Sequence, residues 1–333
     1  MRVLAGDIGG TKTLLQIADI FPNTFRVMFE KSYESRRYPD FLPLVKEFLK
    51  SATAHTDLIL SSACFGVAGP VKEREARTTN LPWRIDADAC VRELKINNIA
   101  LINDFQAVGY GIDGLEDKDF VSLQEGVEQP AGPRVVIGAG TGLGEGFLVW
   151  NGDRYDIFPS EGGHVDFGPT DDIQLELLNY LRARFGRVTY ERVVSGPGLE
   201  NIYAFLRERD PRAESPELKN ALSSGEGPAA ISRFAAEHND GLATQALEIF
   251  CDVYGAQAGN LALTCLPTGG VYIAGGIAPK IIEKLKTGTF MHAFKNKGRM
   301  QPLLEALPVR VIVNPKVGLI GAALMAARIS GRQ

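Results

Sequence analysis

Four cysteines in 333 residues are few, and Cys64, Cys90, Cys251 and Cys265 stand far apart without a Cys-x-x-Cys pair. That argues against a zinc ribbon, a dithiol redox motif or a disulfide framework. No apolar run approaches the roughly 18 residues that a membrane helix needs. Basic residues have no surplus. Thirty-six Lys and Arg against 40 Asp and Glu leave a net charge of −4, which speaks against a general nucleic-acid binder. No block of like charge forms a tail. The phosphate motifs give no support either. No glycine precedes a lysine, so GxxxxGK[ST] is absent, and GxGxxG occurs only at Gly109 to Gly114, in a run that reads as helical from Phe105 and does not follow a strand directly. A P-loop, a Rossmann site and a protein-kinase loop are therefore disfavoured. Met1-Arg2-Val3-Leu4 runs straight into a glycine turn with no leader. The expected setting is the cytoplasm, with no membrane and no nucleic-acid partner.

What is present is an α/β pattern. Leu4 to Asp7, Thr13 to Asp19 and Phe25 to Lys31 read as strands, the first two joined by a glycine turn. Phe41, Leu44, Val45, Phe48 and Leu49 keep helical spacing. Leu58 to Val67 and Ile99 to Ile102 read as buried strands, the first ending at Ala68-Gly69-Pro70 and the second at Asn103-Asp104. The pattern then restarts. Val135-Val136-Ile137 runs into Gly138-Ala139-Gly140-Thr141-Gly142-Leu143-Gly144, with Glu145 to Trp150 as the return strand. Val271 to Ala274, ending at Gly275-Gly276, echoes Val67 to Pro70. Two related α/β lobes facing a cleft are expected, divided as 1–113 plus 317–333 and 114–316. Polar Glu208 to Pro228 reads as a loop. Leu242 to Leu261 reads as a long helix capped by Asp240, and Gly318 to Ile329 as a closing helix on the first lobe.

Four groups of residues could carry chemistry. The glycine turns come first, because backbone N–H groups reach an anion closely where no Cβ intervenes. Gly6-Asp7-Ile8-Gly9-Gly10-Thr11, the Gly140-Thr141-Gly142 turn and Gly275-Gly276 are nucleotide candidates, and Asp7 is placed to hold Mg²⁺ directly or through water. Asn103-Asp104 reads either as a helix cap or as a carboxylate at the carboxyl edge of a sheet, where it could accept a hydroxyl proton. Glu161, His164 and Asp166 could ligate a metal, although a cluster aimed at a polyhydroxylated ligand fits better. Glu191 either pairs with Arg192 or Arg187 at the surface or adds a second carboxylate to that cluster.

Taken in order, these segments resemble bacterial glucokinase of the hexokinase-like type, within the actin-like ATPase (ribonuclease H-like) superfamily. The resemblance runs along nearly the whole chain. It rests on Gly6 to Thr11, Phe65 to Pro70, Leu101 to Phe105, Gly138 to Gly144, Glu161 to His164, Tyr190 to Gly198 and Ile273 to Ile277. It implies two lobes around a central cleft that closes over the sugar. It implies transfer of phosphate from ATP, with Mg²⁺, to the 6-hydroxyl of glucose or a similar hexose, the entry step of glycolysis. Asp104 would be the catalytic base. Asn103, Asp104, Glu161, His164 and Glu191 would hold the sugar. Gly6 to Thr11 and Gly140 to Gly142 would hold the phosphates, with Gly275 and Gly276 near the adenosine. Lys12 departs from the family, where Asn is expected. The cysteine cluster of the related repressor–kinase family is absent. A homodimer is the expected state. The rival readings are a kinase of another hexose or an N-acetylhexosamine, and a non-catalytic sugar sensor.

Overall fold

A computed structural model describes residues 1–21, 24–55 and 59–331. The chain divides into two compact units. One comprises Met1–Asp119, Tyr155–Pro159 and Asn314–Gln333, the other Phe120–Arg154 and Ser160–Val313. The division drawn from sequence lacks the short return of 155–159. That segment belongs to the first unit because Tyr155 and Ile157 bury their side chains there. Ile157 packs over Gly109, and Arg328 donates to the carbonyl of Tyr155 at 3.0 Å.

The sheet of the first unit runs in the order Thr24–Glu34, Lys12–Phe21, Arg2–Ile8, Ser62–Val67, Ile99–Asn103. The first three strands are antiparallel and the last three parallel. The strand expected from Leu58 begins only at Ser62. Ile59 is almost fully exposed, so its apolar side chain adds no strand residue, and Leu58 lies outside the described residues. On one side the sheet is covered by helix Phe41–Ala52, whose Phe41, Leu44, Val45 and Phe48 meet Phe65 and Trp83. On the other it is covered by helices Asp104–Gly111 and Val317–Ser330.

The second unit repeats the plan. Leu143–Trp150 pairs antiparallel with Arg134–Ala139, which lies parallel to Val271–Ala274, itself parallel to Val309–Ile312. Both sheets thus have a glycine hairpin followed by parallel neighbours on one side, and the sequence echo marks a repeated topology. Helix Gly241–Cys265 is capped by Asp240, which accepts from Ala243 N at 2.9 Å. It is buried on nearly every face, because Gly255 and Gly259 let helix Thr289–Lys295 approach its backbone. Segment 208–228 is not the loop expected. It carries helix Pro216–Ser223, which starts with Ser215 as cap and proline at its first position and buries Leu218 and Ala221. Polar composition hid this short amphipathic turn set, since only one narrow stripe needs to be apolar. No helix among the described residues is long and apolar enough to cross a membrane.

The seam between helices Asp104–Gly111 and Val317–Ser330 depends on small residues. A Cβ on Gly321 would lie 1.8 Å from the carbonyl oxygen of Ala107, and one on Gly111 2.1 Å from that of Val317. Backbone cannot retreat as a flexible side chain can, so Gly321→Val should destabilise the first unit by about 1–3 kcal/mol or more. Thermal unfolding followed by circular dichroism should show a midpoint several degrees lower, and an unshifted midpoint would mean the seam is loose.

Candidate active site

Strand register brings the first group together. Asp7 lies beside Gly66, Val67 beside Asn103, and Ile8 beside Val67, so Asp7 and Asn103-Asp104 share the carboxyl edge of the parallel strands. This is where open α/β sheets bind ligands. The adjoining turn is held from below. Gly9 N donates to Lys12 O at 3.0 Å, and Ser35, fully buried, donates from Oγ to Gly9 O at 2.8 Å and from its amide to Thr11 O at 2.9 Å. Gly10 packs against Asn80. Gly6 and Ile8 face the core, with Phe65 and Leu15 where a Gly6 side chain would go, so both offer a ligand only main chain. Thr11 and Lys12 are exposed.

Asn103 and Asp104 divide the two roles that sequence left open. Asn103 is the helix cap. Its Oδ1 accepts from Phe105 N at 2.8 Å and Gln106 N at 3.4 Å, while Gln106 Oε1 accepts from Asn103 N, completing a capping box. Its Nδ2 donates to Gly69 O at 3.3 Å. Asp104 opens the helix, and its Oδ1 accepts from the adjacent Phe105 N at 2.9 Å. Burial holds the Asp104 carboxyl above the usual carboxylate range, against the pull of amide donors and Asn103. Asp7 is pushed up to about 6, mainly by burial and then by the negative charge of Asp104, with Lys12 opposing.

In the second unit Glu161, His164 and Glu191 come together. His164 Nε2 lies 3.8 Å from Glu161 Oε2, and His164 Nδ1 lies 3.9 Å from Glu191 Oε1. Glu161 is almost fully exposed, so its oxygens are open to a ligand. Glu191 pairs with neither arginine. Its Oε2 accepts from Leu143 N at 3.0 Å, Arg187 instead meets Asp166 at 2.7 Å, and Arg192 lies over the Phe185 ring. Asp166 is thereby drawn into an ion pair with Arg187, and no cluster of three or more metal-ligating side chains occurs among the described residues. The carboxylate Glu191 also sits where a side chain on Gly142 would go, 2.5 Å from its Cβ position. Gly163 lies against the Leu143 carbonyl in the same way. The turn at 140–144 and the residues around Glu191 are therefore one packed unit.

Around that turn, Gly140 N donates to Gly142 O at 2.8 Å and Gly196 N to Gly140 O at 2.8 Å. Thr141 is exposed. A Cβ on Gly140 or Gly276 would meet nothing within 4 Å, whereas Gly275, at φ +83°, lies against Ala139 O. Packing requires glycine at 142, 163 and 275 but not at 140 or 276. Sequence reasoning missed Ser35, Asn80, Glu145 and Tyr254. Tyr254 accepts from Ala139 N at 3.2 Å and donates to Ile137 O at 3.3 Å, fixing the end of the strand before the turn. Only Glu145 had a visible signal, as a lone acid inside an otherwise apolar strand.

Two α/β units, each built on a glycine hairpin beside parallel strands, have the fold of the actin-like ATPase class. The sequence profile of the glucokinase family matches residues 4–329, and the chain belongs to that family. It is 48% identical to the glucokinase of Nostoc sp. over 98% of this chain and 99% of that protein. The solved glucokinase of an Antarctic psychrotroph superposes with a TM-score of 0.85 at 28% identity, covering 98% of this chain and 99% of the other. A ROK-family glucokinase from Streptomyces griseus, solved with glucose and AMPPNP, shares the fold with a TM-score of 0.69 at 20% identity, covering 98% of this chain and 100% of the other.

The raised Asp7 carboxyl has a measurable cost. Its folded pKa of about 6 exceeds the ordinary 3.8, so the folded chain binds the proton more tightly than the unfolded one. Stability is then undiminished below about pH 4 and falls as pH rises through the window to 6, by about 3 kcal/mol for this group. Asp7→Asn should raise the unliganded melting temperature by several degrees at pH 7.5, with the gain vanishing near pH 4. An equal gain at both pH values would contradict the assigned cause.

Proposed function

We propose that this chain transfers the γ-phosphoryl group of ATP to the 6-hydroxyl of glucose, forming glucose 6-phosphate for glycolysis in the cytoplasm. The observation that carries the reading is Asp104, a half-buried carboxylate at a sheet's carboxyl edge, held above the usual carboxylate range mainly by desolvation. Its family setting adds the chemistry. Asp104 accepts the 6-hydroxyl proton while that oxygen bonds to the γ-phosphorus. The bond from that phosphorus to the β,γ-bridging oxygen breaks in line, and ADP leaves. No covalent enzyme intermediate forms. A base whose pKa is lifted towards neutrality holds the proton better than a surface aspartate.

Glu161 and Glu191 accept hydrogens from neighbouring sugar hydroxyls, and His164, set between them, supplies a further donor or acceptor. Asn103, whose Nδ2 also reaches Gly69 O and whose amide favours the Asp104 carboxylate, borders the sugar beside that carboxylate. Main-chain N–H groups of Gly10 and Thr11, and of Thr141 and Gly142, take the phosphate oxygens, while those of Gly9 and Gly140 close their own turns. Gly276, with open space at its Cβ position, lets adenosine approach the backbone.

Asp7 fits a divalent cation. Burial and the neighbouring Asp104 both disfavour its negative charge, and a cation relieves both. One protein carboxylate is enough where phosphate oxygens and water complete an octahedral Mg²⁺ shell. Bound there, Mg²⁺ would neutralise charge on the phosphates.

A coupled assay with ATP–Mg²⁺ and a panel of hexoses tests the proposal. Glucose should be turned over best, and an N-acetylhexosamine or mannose turned over faster would redirect the substrate assignment. Asp104→Asn should lower kcat by about a hundredfold or more while glucose still binds. A variant keeping a tenth of normal turnover would dismiss Asp104 as base. Glu161→Gln and His164→Ala should each raise the glucose KM by about tenfold, because an unpaired hydroxyl in a polar pocket costs on that scale. Unchanged glucose affinity in both would remove them from the sugar site.

A further inference from the structure

Glu145 is a carboxylate 2% exposed, placed in the strand Leu143–Trp150, and no step above uses it. Such a group needs a structural partner, since an isolated buried charge is costly. The partners form a directed chain. Lys297 Nζ donates to Asn260 Oδ1 at 2.7 Å, Asn260 Nδ2 to Gln257 Oε1 at 3.2 Å, and Gln257 Nε2 to Glu145 Oε1 at 2.8 Å. Every link donates towards the carboxylate, with a cation at the start and an anion at the end. Links so aligned polarise one another and strengthen the whole. Burial raises the Glu145 carboxyl above its ordinary range, and the Gln257 donor draws it back.

Both sugar loops hang on this chain. Glu145 Oε2 lies 1.9 Å from where a Cβ on Gly162 would be, so the carboxylate fills the space under the Glu161–His164 turn and sets its height. Asn260 Nδ2 also donates to Tyr190 Oη at 3.0 Å, and Tyr190 is the residue before Glu191. The turn at 140–142 is closed by separate main-chain bonds to Gly142 and Gly196. We propose that Glu145 is a positioning residue that, through Gly162 and through Gln257, Asn260 and Tyr190, fixes Glu161, His164 and Glu191 for the sugar. The inference rests on the sugar-binding reading of those three residues.

Three variants of the full chain test it, with KM measured separately for glucose and for ATP. Glu145→Ala should raise the glucose KM by about tenfold or more, the scale of leaving a buried donor unpaired, with the ATP KM within about twofold of wild type. Glu145→Gln, which keeps shape and acceptor, should restore the glucose KM to within about threefold. Tyr190→Phe removes one hydroxyl and should raise the glucose KM by about threefold to tenfold. An unmoved glucose KM in Glu145→Ala, or parallel rises for both substrates, overturns the proposal. Should Glu145→Ala fail to fold, Tyr190→Phe decides, and an unchanged glucose KM there overturns it. A wild-type chain that phosphorylates no hexose removes the underlying reading and this one with it. An active wild type with unmoved variants removes this one alone.

Discussion

One main-chain hydrogen bond, made once in each unit, sets the geometry on which the rest depends. Ala68 N donates to Ile8 O at 3.0 Å, and Ile277 N donates to Ala139 O at 3.2 Å. In both cases the carbonyl at the end of the first hairpin strand is taken by the segment that follows the parallel neighbour. The bond anchors the strand end just before the glycine turn, so the turn cannot swing away from the sheet edge. It also obliges the chain after the neighbouring strand to bend sharply, which is why glycine stands there. Gly69 has φ +154° and its Cβ position lies 2.0 Å from Arg77 O, while Gly275 has φ +83° and lies 2.3 Å from Ala139 O. A phosphate cradle needs N–H groups fixed before the ligand arrives, because donors that must reorganise stabilise developing charge less. The repeated bond would supply that fixity if the turns hold phosphate as proposed.

The same edge concentrates unfavourable charge. Asp7 and Asp104 are both half-buried and both raised by desolvation, and Asp7 is raised partly by Asp104. A fold selected for stability alone would not set two carboxylates at one buried edge. Under the proposed function the arrangement has a chemical use, since Asp7 would gain from a cation and Asp104 from a proton delivered by substrate. Stability lost in the empty chain is regained when ligands bind, because a ligand that binds only the folded state stabilises it.

Much of this was legible in sequence, and for a physical reason. Glycine turns, buried strands and helix caps are local signals. Gly9, Gly10, Gly140 and Gly142, the capping Asn103 and the cap Asp240 were all readable from neighbours within four residues. Asp104 as base and Glu191 in the sugar cluster came from the family resemblance, and local pattern left Glu191 open between two arginines and the site. Its bond to Leu143 N, 48 residues away, is a tertiary fact with no local trace. Helix Pro216–Ser223 was missed because a surface helix needs only two buried residues, too few to rise above a polar background. The return of 155–159 to the first unit was missed because five residues carry no domain signature of their own.

Open space separates two kinds of glycine that sequence cannot distinguish. Gly142, Gly162, Gly163 and Gly275 are each dictated by an atom of the protein, namely the Glu191 carboxylate, the Glu145 carboxylate, the Leu143 carbonyl and the Ala139 carbonyl. Gly140 and Gly276 are dictated by nothing within 4 Å, and neither has a left-handed φ. Alanine would be cheaper there in unfolded-state entropy. A glycine that the protein's own packing does not require is best explained by something outside the protein that comes close to its backbone. By that argument the first group shapes the loops, and the second is where the proposed function would bring a ligand against the backbone. Conversely, the Glu-Gly-Gly-His sequence owes both its glycines to contacts beneath it, which leaves its two polar ends as the groups that the proposed function assigns to a sugar.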